Sequence, residues 1–302
     1  MCNKYALQER GKIMKIAIVG LGHAFSKQYN ALRSIKEFEE IELCDKDEER
    51  IKEYKCKNDY LNLESENVVI ATSPVLHLEM AKKLINNGKK IILEKPIVTS
   101  LNELENLKMF INKDNYYNSL HFAYGVEIDY FIKNINRRPN KIYVYISDDY
   151  VKDERIVDKA ITLCGSYLDE VINPLSAITR MFGYDVKFKN VNKKCYEGDK
   201  YDYYSLSDFE VENIPVTIEV LWNNEKSKKY IEMYYDDMIL RLDSMNQEVI
   251  DLTNNKQLFL GEGDRMTNHY IGVFNDYIRN GSNVDISIKL HEELLKGAAN
   301  EN

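Results

Sequence analysis

Three side chains have the types and positions needed to handle a proton at a hydroxyl or carbonyl group. Lys95 follows an apolar run and precedes Pro96. A lysine there can donate to an oxygen atom or, when burial lowers its pKa, move a proton. Asp169 and Asn173 are four residues apart, which is one helical turn. The carboxylate can accept a proton, whereas the amide can only orient a substrate, so each of the three could take part in proton transfer at a bound alcohol.

The same residues also have interpretations without chemistry. Asn173 followed by Pro174 makes a good helix N-cap and first helical residue, in which case the helix begins at Pro174 and Asp169 lies in the preceding loop. Asp169 could also be a surface or capping carboxylate, and a surface lysine before a turn proline is the usual interpretation of Lys95. Asp148 and Asp149 end a strand near the presumed cleft, and a solvated turn is the ordinary interpretation of such a pair. The sequence leaves these alternatives open.

A turn with two glycines indicates a dinucleotide site. The run KIAIVG at 15–20 is typical of a buried strand, and Gly20-Leu21-Gly22 then opens a helix. Glycines here let the chain turn tightly and let a pyrophosphate approach the helix N-terminus. The third position of the G-x-G-x-x-G pattern is Phe25 rather than Gly or Ala, so the loop by itself could be only a tight turn.

Asp45 strengthens the dinucleotide interpretation because it ends the next apolar run, about 20 residues after the loop. A carboxylate at this place accepts a hydrogen bond from the ribose 2′-hydroxyl of NAD and repels the 2′-phosphate of NADP. The sequence therefore predicts NAD as the cofactor, with NADP disfavoured. The alternative is that Asp45 only caps the following helix.

The first part of the chain alternates between strands and helices. Its apolar runs occupy residues 15–20, 41–45, 67–73 and 89–96. Amphipathic stretches separate them, which is the rhythm of a parallel, doubly wound sheet. The first helix is expected at 25–38, a later one ends at Gly88, and another begins after Ser100. Because ligands bind at the carboxyl ends of such strands, Lys95 lies where a cofactor and a substrate would meet.

The pattern changes after about residue 120. Residues 141–149 alternate as a strand, a helix is expected at 165–182, and several short strands then follow one another. Consecutive strands without intervening helices predict a largely antiparallel, open sheet in a second domain of the α+β type. We expect a tail (1–13), a dinucleotide-binding domain (14–119) and a substrate-binding domain (120–302).

These features, in this order, resemble the Gfo/Idh/MocA oxidoreductase family. The resemblance rests on the G-x-G loop, the acidic end of the second strand, ATSPVLH, NGKKIILEKP and the helix at 165–183, and it extends to RMTNHYIGVFNDYI near the C-terminus. It implies a Rossmann domain followed by an open-sheet domain. It also implies NAD(P)-dependent oxidation or reduction of a sugar or polyol, with Lys95 as the catalytic lysine of the family's E-K-P motif.

The helix motif of that family, D-x-G-x-H, is altered in this chain. Val171 replaces the glycine and Asn173 replaces the histidine, while Asp169 keeps its place. INPLS resembles the INALS of a branch that acts as aldose 1-dehydrogenases, similar to the L-arabinose and D-galactose enzymes. The segment at 120–135 resembles the WHS segment of the same branch. This resemblance implies that His121 lies near the sugar, although it could equally be a core histidine.

Motifs and resemblance together predict one site. The catalytic residues are Lys95, Asp169 and Asn173, and the substrate contacts are the same three with His121. The cofactor contacts are Gly20, Gly22, His23, Ala24, Phe25, Asp45, Thr72, Ser73, Pro74, His77, Glu94 and Lys95. Pro74 is expected against the cofactor, whereas His77 and His269 are more typical of structural residues. No C-x-x-C or His/Cys cluster occurs, so no metal is expected.

Composition and charge limit the remaining functions. The 302 residues carry a net charge of -8, which argues against the basic face that nucleic acids require. No apolar run approaches the roughly 20 residues that span a bilayer, and no signal peptide is recognised. Five scattered cysteines predict reduced thiols in a cytoplasm. We expect a small sugar as the substrate, and the resemblance implies a homo-oligomer formed through the open sheet.

The predicted function is hydride transfer between nicotinamide and a sugar CH–OH carbon. The anomeric C1 hydroxyl of an aldose is more acidic than an ordinary secondary alcohol, so its oxidation asks less of a base. The substitution of histidine by Asn173 is compatible with such a substrate.

Two other functions remain open. A nucleotide-sugar or amino-sugar oxidoreductase would need basic residues for a diphosphate. The arginines in question, which show no obvious cluster, are Arg137, Arg138, Arg155 and Arg180. A Rossmann-fold sensor that has lost catalysis is favoured by Phe25 and Asn173, and opposed by the retention of Lys95 and Asp169.

Overall fold

Two sheets, one parallel and one mostly antiparallel, form the frame of the protein. The computed structural model describes residues 14–150, 163–195 and 201–299; the predicted tail at 1–13 lies outside the described residues. Helices pack on both sheets. This architecture confirms the predicted α/β class, with a doubly wound parallel sheet followed by an open-sheet α+β domain.

The first sheet has five parallel strands in the order β2-β1-β3-β4-β5. They are β1 (Met14–Val19), β2 (Phe38–Cys44), β3 (Asn67–Ile70), β4 (Lys90–Glu94) and β5 (Tyr116–Ser119). Ile16, Ile18, Val68 and Val69 are each 0% exposed, because strands β1 and β3 are covered on both faces. The strand order reverses between β1 and β3, and ligands of open α/β sheets bind at the carboxyl side of such a switch point.

Four helices belong to this sheet. They are α1 (Phe25–Ser34), α2 (Glu48–Tyr54), α3 (His77–Asn86) and α4 (Leu101–Lys108). As predicted, Ser100 caps α4 by accepting the Glu103 backbone N–H, and Gly88 follows α3 with φ +75°. The prediction that α1 reaches residue 38 is wrong, because Ile35 is extended and Phe38 already starts β2.

The second sheet has eight strands in the order β13-β12-β11-β10-β6-β9-β8-β7. They are β6 (Lys141–Asp149), β7 (Val186–Cys195), β8 (Asp202–Val211), β9 (Ile214–Leu221), β10 (Asn223–Tyr234), β11 (Ile239–Asp243), β12 (Glu248–Asp251) and β13 (Lys256–Leu260). Among these described strands β6 and β9 pair in parallel and the other neighbours are antiparallel. The prediction of a largely antiparallel sheet is confirmed.

Three strands are missing from the sequence prediction, for physical reasons. Strand β5 reads YYNS and is too short and polar for its pattern to be visible, although pairing with β4 holds it in place. Strands β7 and β13 are the two edges of the second sheet. An edge strand is partly solvated and carries charged side chains, as the lysines of VKFKNVNKKC do, so its hydrophobic alternation is weak.

The remaining helices are α5 (Val126–Asn134), α6 (Ser166–Glu170), α7 (Ile172–Phe182), α8 (Arg265–Asn280) and α9 (Val284–Ala298). Helices α6 and α7 replace the single predicted helix at 165–182 and join at Val171, which keeps helical angles. Pro174 has no N–H for the Glu170 carbonyl, which explains the interruption. Asn173 lies within α7 and Asp169 within α6, so the alternative that the helix begins at Pro174 is wrong.

Helices α8 and α9 connect the two sheets. Helix α8 packs on α1 of the first sheet; Phe274 meets Phe38 edge-on at 6.0 Å, and the Tyr277 hydroxyl donates to Asn67 at 2.6 Å. Helix α9 contacts α4 and β5 of the first domain and β7 of the second. These contacts hold the second domain against the first, with α6 next to the end of β4.

Candidate active site

The loop after β1 has two glycines with different roles. Gly20 has φ +96°, and a Cβ on it would lie 2.6 Å from the carbonyl oxygen of Ala71. A Cβ on Gly22 would meet nothing within 4 Å among the described residues. The fold therefore requires the first glycine, whereas the second leaves open space at the start of α1, where a pyrophosphate could approach.

Replacing each glycine by alanine should separate these roles. Gly20→Ala should lower the melting temperature, because both the clash with Ala71 and the positive φ oppose a side chain. Gly22→Ala should keep the melting temperature but weaken NAD binding at least about tenfold, because the methyl group occupies the space for the phosphates. Thermal unfolding and calorimetry measure the two effects. Unchanged NAD affinity in Gly22→Ala would contradict the loop as a phosphate site.

The other predicted loop residues differ in their surroundings. His23 is exposed and Ala24 half-buried at the start of α1. The Phe25 ring is 7% exposed and packs against Tyr29 at 5.7 Å and Tyr54 at 5.1 Å between ring centroids. Phe25 thus packs within the first domain, and its predicted cofactor contact stays a prediction.

Asp45 directly follows β2 and is 8% exposed. Its carboxylate accepts the backbone N–H of Leu21 at 2.6 Å and that of Asp47 at 3.0 Å, and Arg50 lies 3.3 Å away. Burial would raise the pKa of Asp45, but these backbone hydrogen bonds and Arg50 outweigh it and lower the pKa. Asp47, not Asp45, caps α2. The capping alternative for Asp45 is therefore wrong, and an ionised carboxylate lies beside the glycine loop.

The segment after β3 carries Thr72, Ser73 and Pro74, of which the first two are half-buried. The His77 ring is 0% exposed. Its Nδ1 lies 2.9 Å from the Pro96 carbonyl oxygen and its Nε2 lies 3.0 Å from that of Thr72. Burial lowers the pKa of His77 to about 4, so the neutral ring donates to one of these carbonyls. The buried ring connects the two loops, which supports the structural interpretation of His77, and its cofactor contact stays a prediction.

Glu94 is the last residue of β4 and organises the residues around it. Its Oε1 accepts from Gln28 of α1 at 2.7 Å and from Ser119 of β5 at 2.9 Å. Burial raises the pKa of Glu94. These contacts fix α1 and β5 beside the end of β4, which positions Lys95; a direct contact between Glu94 and the cofactor stays a prediction.

Lys95 and Asp169 form a buried ion pair between the two domains. Nζ of Lys95 lies 2.7 Å from Oδ1 of Asp169 and 2.8 Å from the backbone carbonyl oxygen of the same residue. The side chains are 11% and 10% exposed. Within the described residues, two of the three ammonium hydrogens are therefore committed, and one N–H and the second carboxylate oxygen remain for a substrate.

Burial and charge together set the protonation of this pair. Burial lowers the pKa of Lys95, but the carboxylates of Asp169 and Glu170 outweigh it and the net shift is upward. Burial raises the pKa of Asp169, and Lys95 offsets this only in part. The proton thus resides on the lysine, next to a carboxylate that burial makes ready to accept it.

Asn173 leads to a second buried ion pair, which the sequence prediction missed. Its Nδ2 donates to Oε2 of Glu170 at 2.9 Å. Oε1 of Glu170 accepts from Nζ of Lys229 on β10 at 3.0 Å, and Lys229 also donates to Asp148 on β6 at 3.0 Å. The structure therefore brings Lys95, Asp169 and Asn173 together, and adds three charged residues beside them.

No local motif indicates these three residues. The interpretation of Asp148 as part of a solvated turn is wrong, because its side chain is 11% exposed and paired. Its partner Lys229 lies 81 residues away and reaches it only through the pairing of β10 with β6. The available signal is strand alternation: Lys229 is opposite Ile146, so it shares the inner face of the sheet with Ile146 and Asp148.

His121 lies in a buried histidine pair. It begins a short 3-10 turn after β5 and is 6% exposed. Its Nδ1 is 3.4 Å from Nδ1 of His269, and its ring lies 5.3 Å from that of Tyr270. Burial, His269 and Lys95 lower the pKa of His121 well below its usual value. The pair supports the structural interpretation of His269, and the substrate contact of His121 stays a prediction.

Arginine pairing and metal ligation bear on the alternative functions. Arg137 pairs with Asp237 and Arg180 with Asp129, while Arg155 lies outside the described residues.

Across the part of the chain that the structure describes, no cluster of three or more His, Cys, Asp or Glu residues is arranged for a metal ion. Within that same part, no helix is long and apolar enough to cross a membrane.

Fold and site together define a class of protein. A Rossmann-type dinucleotide-binding domain has a glycine loop after β1, an acidic residue after β2 and a switch point between β1 and β3, and this chain has all three. Residues 14–119 match the model of the GFO_IDH_MocA family, described as an oxidoreductase family with an NAD-binding Rossmann fold. The match supports the Gfo/Idh/MocA resemblance and confirms NAD-type dinucleotide binding as the class of this domain.

Individual relatives are distant. An uncharacterized oxidoreductase of Synechocystis sp., sll0816, is 32% identical over 101 residues, and the match covers 30% of this chain and 27% of that protein. UDP-N-acetylglucosamine 3-dehydrogenase GnnA from Acidithiobacillus ferrooxidans has a TM-score of 0.74 at 14% identity, covering 94% of this chain and 96% of its own. KijD10, a 3-ketoreductase from Actinomadura kijaniata, has a TM-score of 0.76 at 14% identity, covering 93% and 94%. These structures share the fold of this chain.

Proposed function

We propose that this protein is an NAD-linked oxidoreductase that moves a hydride between nicotinamide and a CH–OH carbon of a sugar. The observation that supports this most is the ion pair of Lys95 and Asp169, buried at the carboxyl end of β4. In open α/β sheets this edge is where a bound dinucleotide and its substrate meet. The family match of residues 14–119 supports the cofactor class.

The residues present fit NAD. The open space at Gly22 would hold the pyrophosphate at the N-terminus of α1, and the ionised Asp45 would accept from the ribose 2′-hydroxyl. Bound NAD supplies a nicotinamide carbon that accepts or returns a hydride. The predicted cytoplasmic location, where this cofactor is supplied, stays a prediction.

The protein's own residues carry out the proton transfer. During oxidation the substrate C–H bond breaks as a hydride leaves, the C–O bond becomes a carbonyl, and the hydroxyl proton must be taken up. Asp169 accepts a proton from Lys95 across 2.7 Å, and the resulting amine takes the hydroxyl proton. The pair thus ends with one additional proton, which it returns to the carbonyl oxygen when the reaction runs towards reduction.

Oxidation of an aldose at C1 is the substrate assignment that fits the site best. An amide cannot act as a base at neutral pH, so Asn173 orients the sugar while Lys95 and Asp169 handle the proton. The more acidic anomeric hydroxyl suits a site without the motif histidine. The resemblance to L-arabinose and D-galactose dehydrogenases supports this finer assignment.

A nucleotide-sugar oxidoreductase is the second candidate. The two structural neighbours favour it, because one is named for UDP-N-acetylglucosamine and the other was solved with a TDP compound and NADP. A diphosphate would need cationic groups with free hydrogen-bond donors. Arg137 and Arg180 are each engaged in an ion pair, whereas Arg138 is exposed and Arg155 lies outside the described residues, so the arginines leave this candidate open. The third possibility was a Rossmann-fold sensor that has lost catalysis. The intact ion pair of Lys95 and Asp169 argues against it.

A screen that follows reduced-nicotinamide absorbance tests the proposal. Aldoses, polyols and nucleotide sugars are offered with NAD and with NADP, and the corresponding carbonyl compounds with the reduced cofactors. Turnover of an aldose with NAD is the expected result. Turnover confined to nucleotide sugars would favour the second candidate. Tight NAD binding without any change in reduced-nicotinamide absorbance would favour a sensor that has lost catalysis.

We also propose that two copies pair through the outer face of the second sheet. Tyr143, Tyr145 and Tyr230 are half-buried on that face, and the rings of Tyr145 and Tyr230 stack at 5.6 Å. Sedimentation should give twice the mass of the chain, and the double variant Tyr145→Glu/Tyr230→Glu should give the single mass. A wild-type protein that sediments as a monomer at micromolar concentration would contradict this pairing.

A further inference from the structure

Four buried polar side chains form a continuous chain of contacts from the second sheet to the candidate active site. Asp148 contacts Lys229, Lys229 contacts Glu170, and Glu170 contacts Asn173, at 3.0, 3.0 and 2.9 Å. The three charged side chains are 11%, 12% and 5% exposed, and Asn173 is 6% exposed. The proposed proton transfer between Lys95 and Asp169 passes through none of the four.

This chain of contacts determines which way the Asn173 amide faces. An ionised carboxylate only accepts hydrogen bonds, so Glu170 pairs with Nδ2 of Asn173 and excludes Oδ1. Among the described residues, Oδ1 is not one of the buried polar atoms that lack a partner, and no donor contacts it, so this oxygen reaches the surface. The amide lies beside the ion pair, because its Nδ2 is 3.5 Å from the Asp169 carbonyl oxygen that also accepts from Lys95.

The groups packed around Glu170 keep it ionised. Burial would raise its pKa, but Lys229 and, to a smaller extent, Lys95 lower the pKa to about 2. The acidic groups that face it are Asp169 on the same helix, Asp148 on β6 and Tyr150 directly after β6. Lys229 is therefore the group whose removal would let Glu170 take up a proton.

We propose that Glu170 and Lys229 are positioning residues that turn the Asn173 carbonyl oxygen towards the substrate, so that the site selects a hydroxyl group next to the reacting carbon. This proposal rests on the proposed function. It adds that the same site recognises the hydroxyl group next to the reacting carbon of the sugar. A neighbouring hydroxyl donates to Oδ1 of Asn173, whereas a deoxy or keto analogue leaves that oxygen unpaired, and sites built for a donor discriminate against its loss.

A protonated Glu170 would reverse the arrangement. Its O–H would donate to Oδ1 of Asn173, and the amide would turn its Nδ2 outwards. The wild-type protein avoids this in the working pH range because Lys229 holds the carboxylate ionised. In Lys229→Met the orientation of the amide should become dependent on pH.

Side-chain amide NMR tests the orientation without any substrate. The Asn173 signal of the full-length, asparagine-labelled protein is identified by its loss in Asn173→Ser and followed from about pH 4 to 8. The amide should keep its orientation in the wild type and in Lys228→Met, which removes the neighbouring exposed lysine of β10. Burial raises the pKa of Asp148 to about 6, but protonation of Asp148 leaves Lys229 paired with Glu170, so it should not reverse the amide. The Asn173 signal should titrate in Lys229→Met. A constant signal in a folded Lys229→Met would overturn the positioning role.

Removing Lys229 leaves two buried carboxylates without their shared cation, so the single variant could unfold. The double variant Lys229→Met/Asp148→Asn removes one charge of each sign and repeats the test in a less strained cluster. Its Asn173 signal should also titrate, and the further change Glu170→Gln should abolish the titration. Titration that persists after Glu170→Gln would contradict the assignment to Glu170.

Kinetics with a sugar found by the screen tests the selection itself. In Glu170→Gln the amide of Asn173 can turn either way, so KM for the sugar should rise about tenfold while kcat changes far less. KM for the analogue that lacks the neighbouring hydroxyl should not change. An equal rise for both compounds would overturn the selection. If no sugar is turned over, the proposed function fails, whereas the NMR experiment still decides the orientation of the amide.

Discussion

Replacing Lys95 by methionine is expected to lower kcat/KM about 10²- to 10⁴-fold while NAD affinity stays unchanged. Methionine keeps the apolar stem of lysine but has no N–H for the substrate oxygen and no proton to exchange with Asp169, which Lys95 contacts at 2.7 Å. The glycine loop and Asp45, which would bind the rest of the dinucleotide, are left intact. Steady-state kinetics and calorimetry of NAD binding measure the two quantities.

Controls must separate lost chemistry from lost folding. Removing one partner of a buried ion pair costs roughly 3–5 kcal/mol, so Lys95→Met could act through stability. The double variant Lys95→Met/Asp169→Asn removes both charges, and it should recover much of the melting temperature without recovering turnover. Lys187→Met, on the exposed part of β7, should behave as the wild type. Near-normal turnover by the folded double variant would exclude the pair from the mechanism.

Replacing Asp45 by asparagine is expected to remove the preference for NAD over NADP. The wild-type protein should bind NAD at least about tenfold more tightly, a difference of about 1.4 kcal/mol, because the carboxylate repels a 2′-phosphate. Asparagine carries no charge, and Arg50, now 3.3 Å from Asp45, becomes free to pair with the phosphate. Calorimetry with both cofactors gives the ratio of dissociation constants.

Asp47→Ala is the matched control for Asp45→Asn. Asp47 lies two residues away and caps α2 through the N–H groups of Glu49 and Arg50. Its loss should cost about 1 kcal/mol of stability and leave the ratio of NAD to NADP affinity unchanged. A wild-type protein that prefers NADP, or a ratio that changes equally in both variants, would contradict the role of Asp45.

Much of the first domain could be predicted from the sequence because its determinants are local. The apolar run of β1 is buried on both faces, Ser100 caps α4 and Gly88 ends α3, and each of these depends on a few neighbouring residues. Strand β5 has no such local signal. It is placed by pairing with β4, which a pattern of four polar and aromatic residues does not indicate.

The candidate site was predictable where a motif marks a strand or helix end. Lys95, Asp169 and Asn173 were expected together, and the structure brings them together. Glu170 and Lys229 were not foreseen, because their contact depends on where β10 lies relative to α6. For His77, the motif suggested a cofactor contact, whereas packing buries the ring beneath the loops; that contact stays a prediction.

The central claim is that Lys95 and Asp169 lie where nicotinamide meets the substrate. A crystal structure of the protein with NADH tests it most directly. We expect the pyrophosphate at Gly22, the adenosine ribose on Asp45, and the reactive carbon of the nicotinamide facing the Lys95 ammonium, with room for a sugar between them and Asn173. A nicotinamide ring that points away from Lys95, or a dinucleotide bound elsewhere on the protein, would contradict the account.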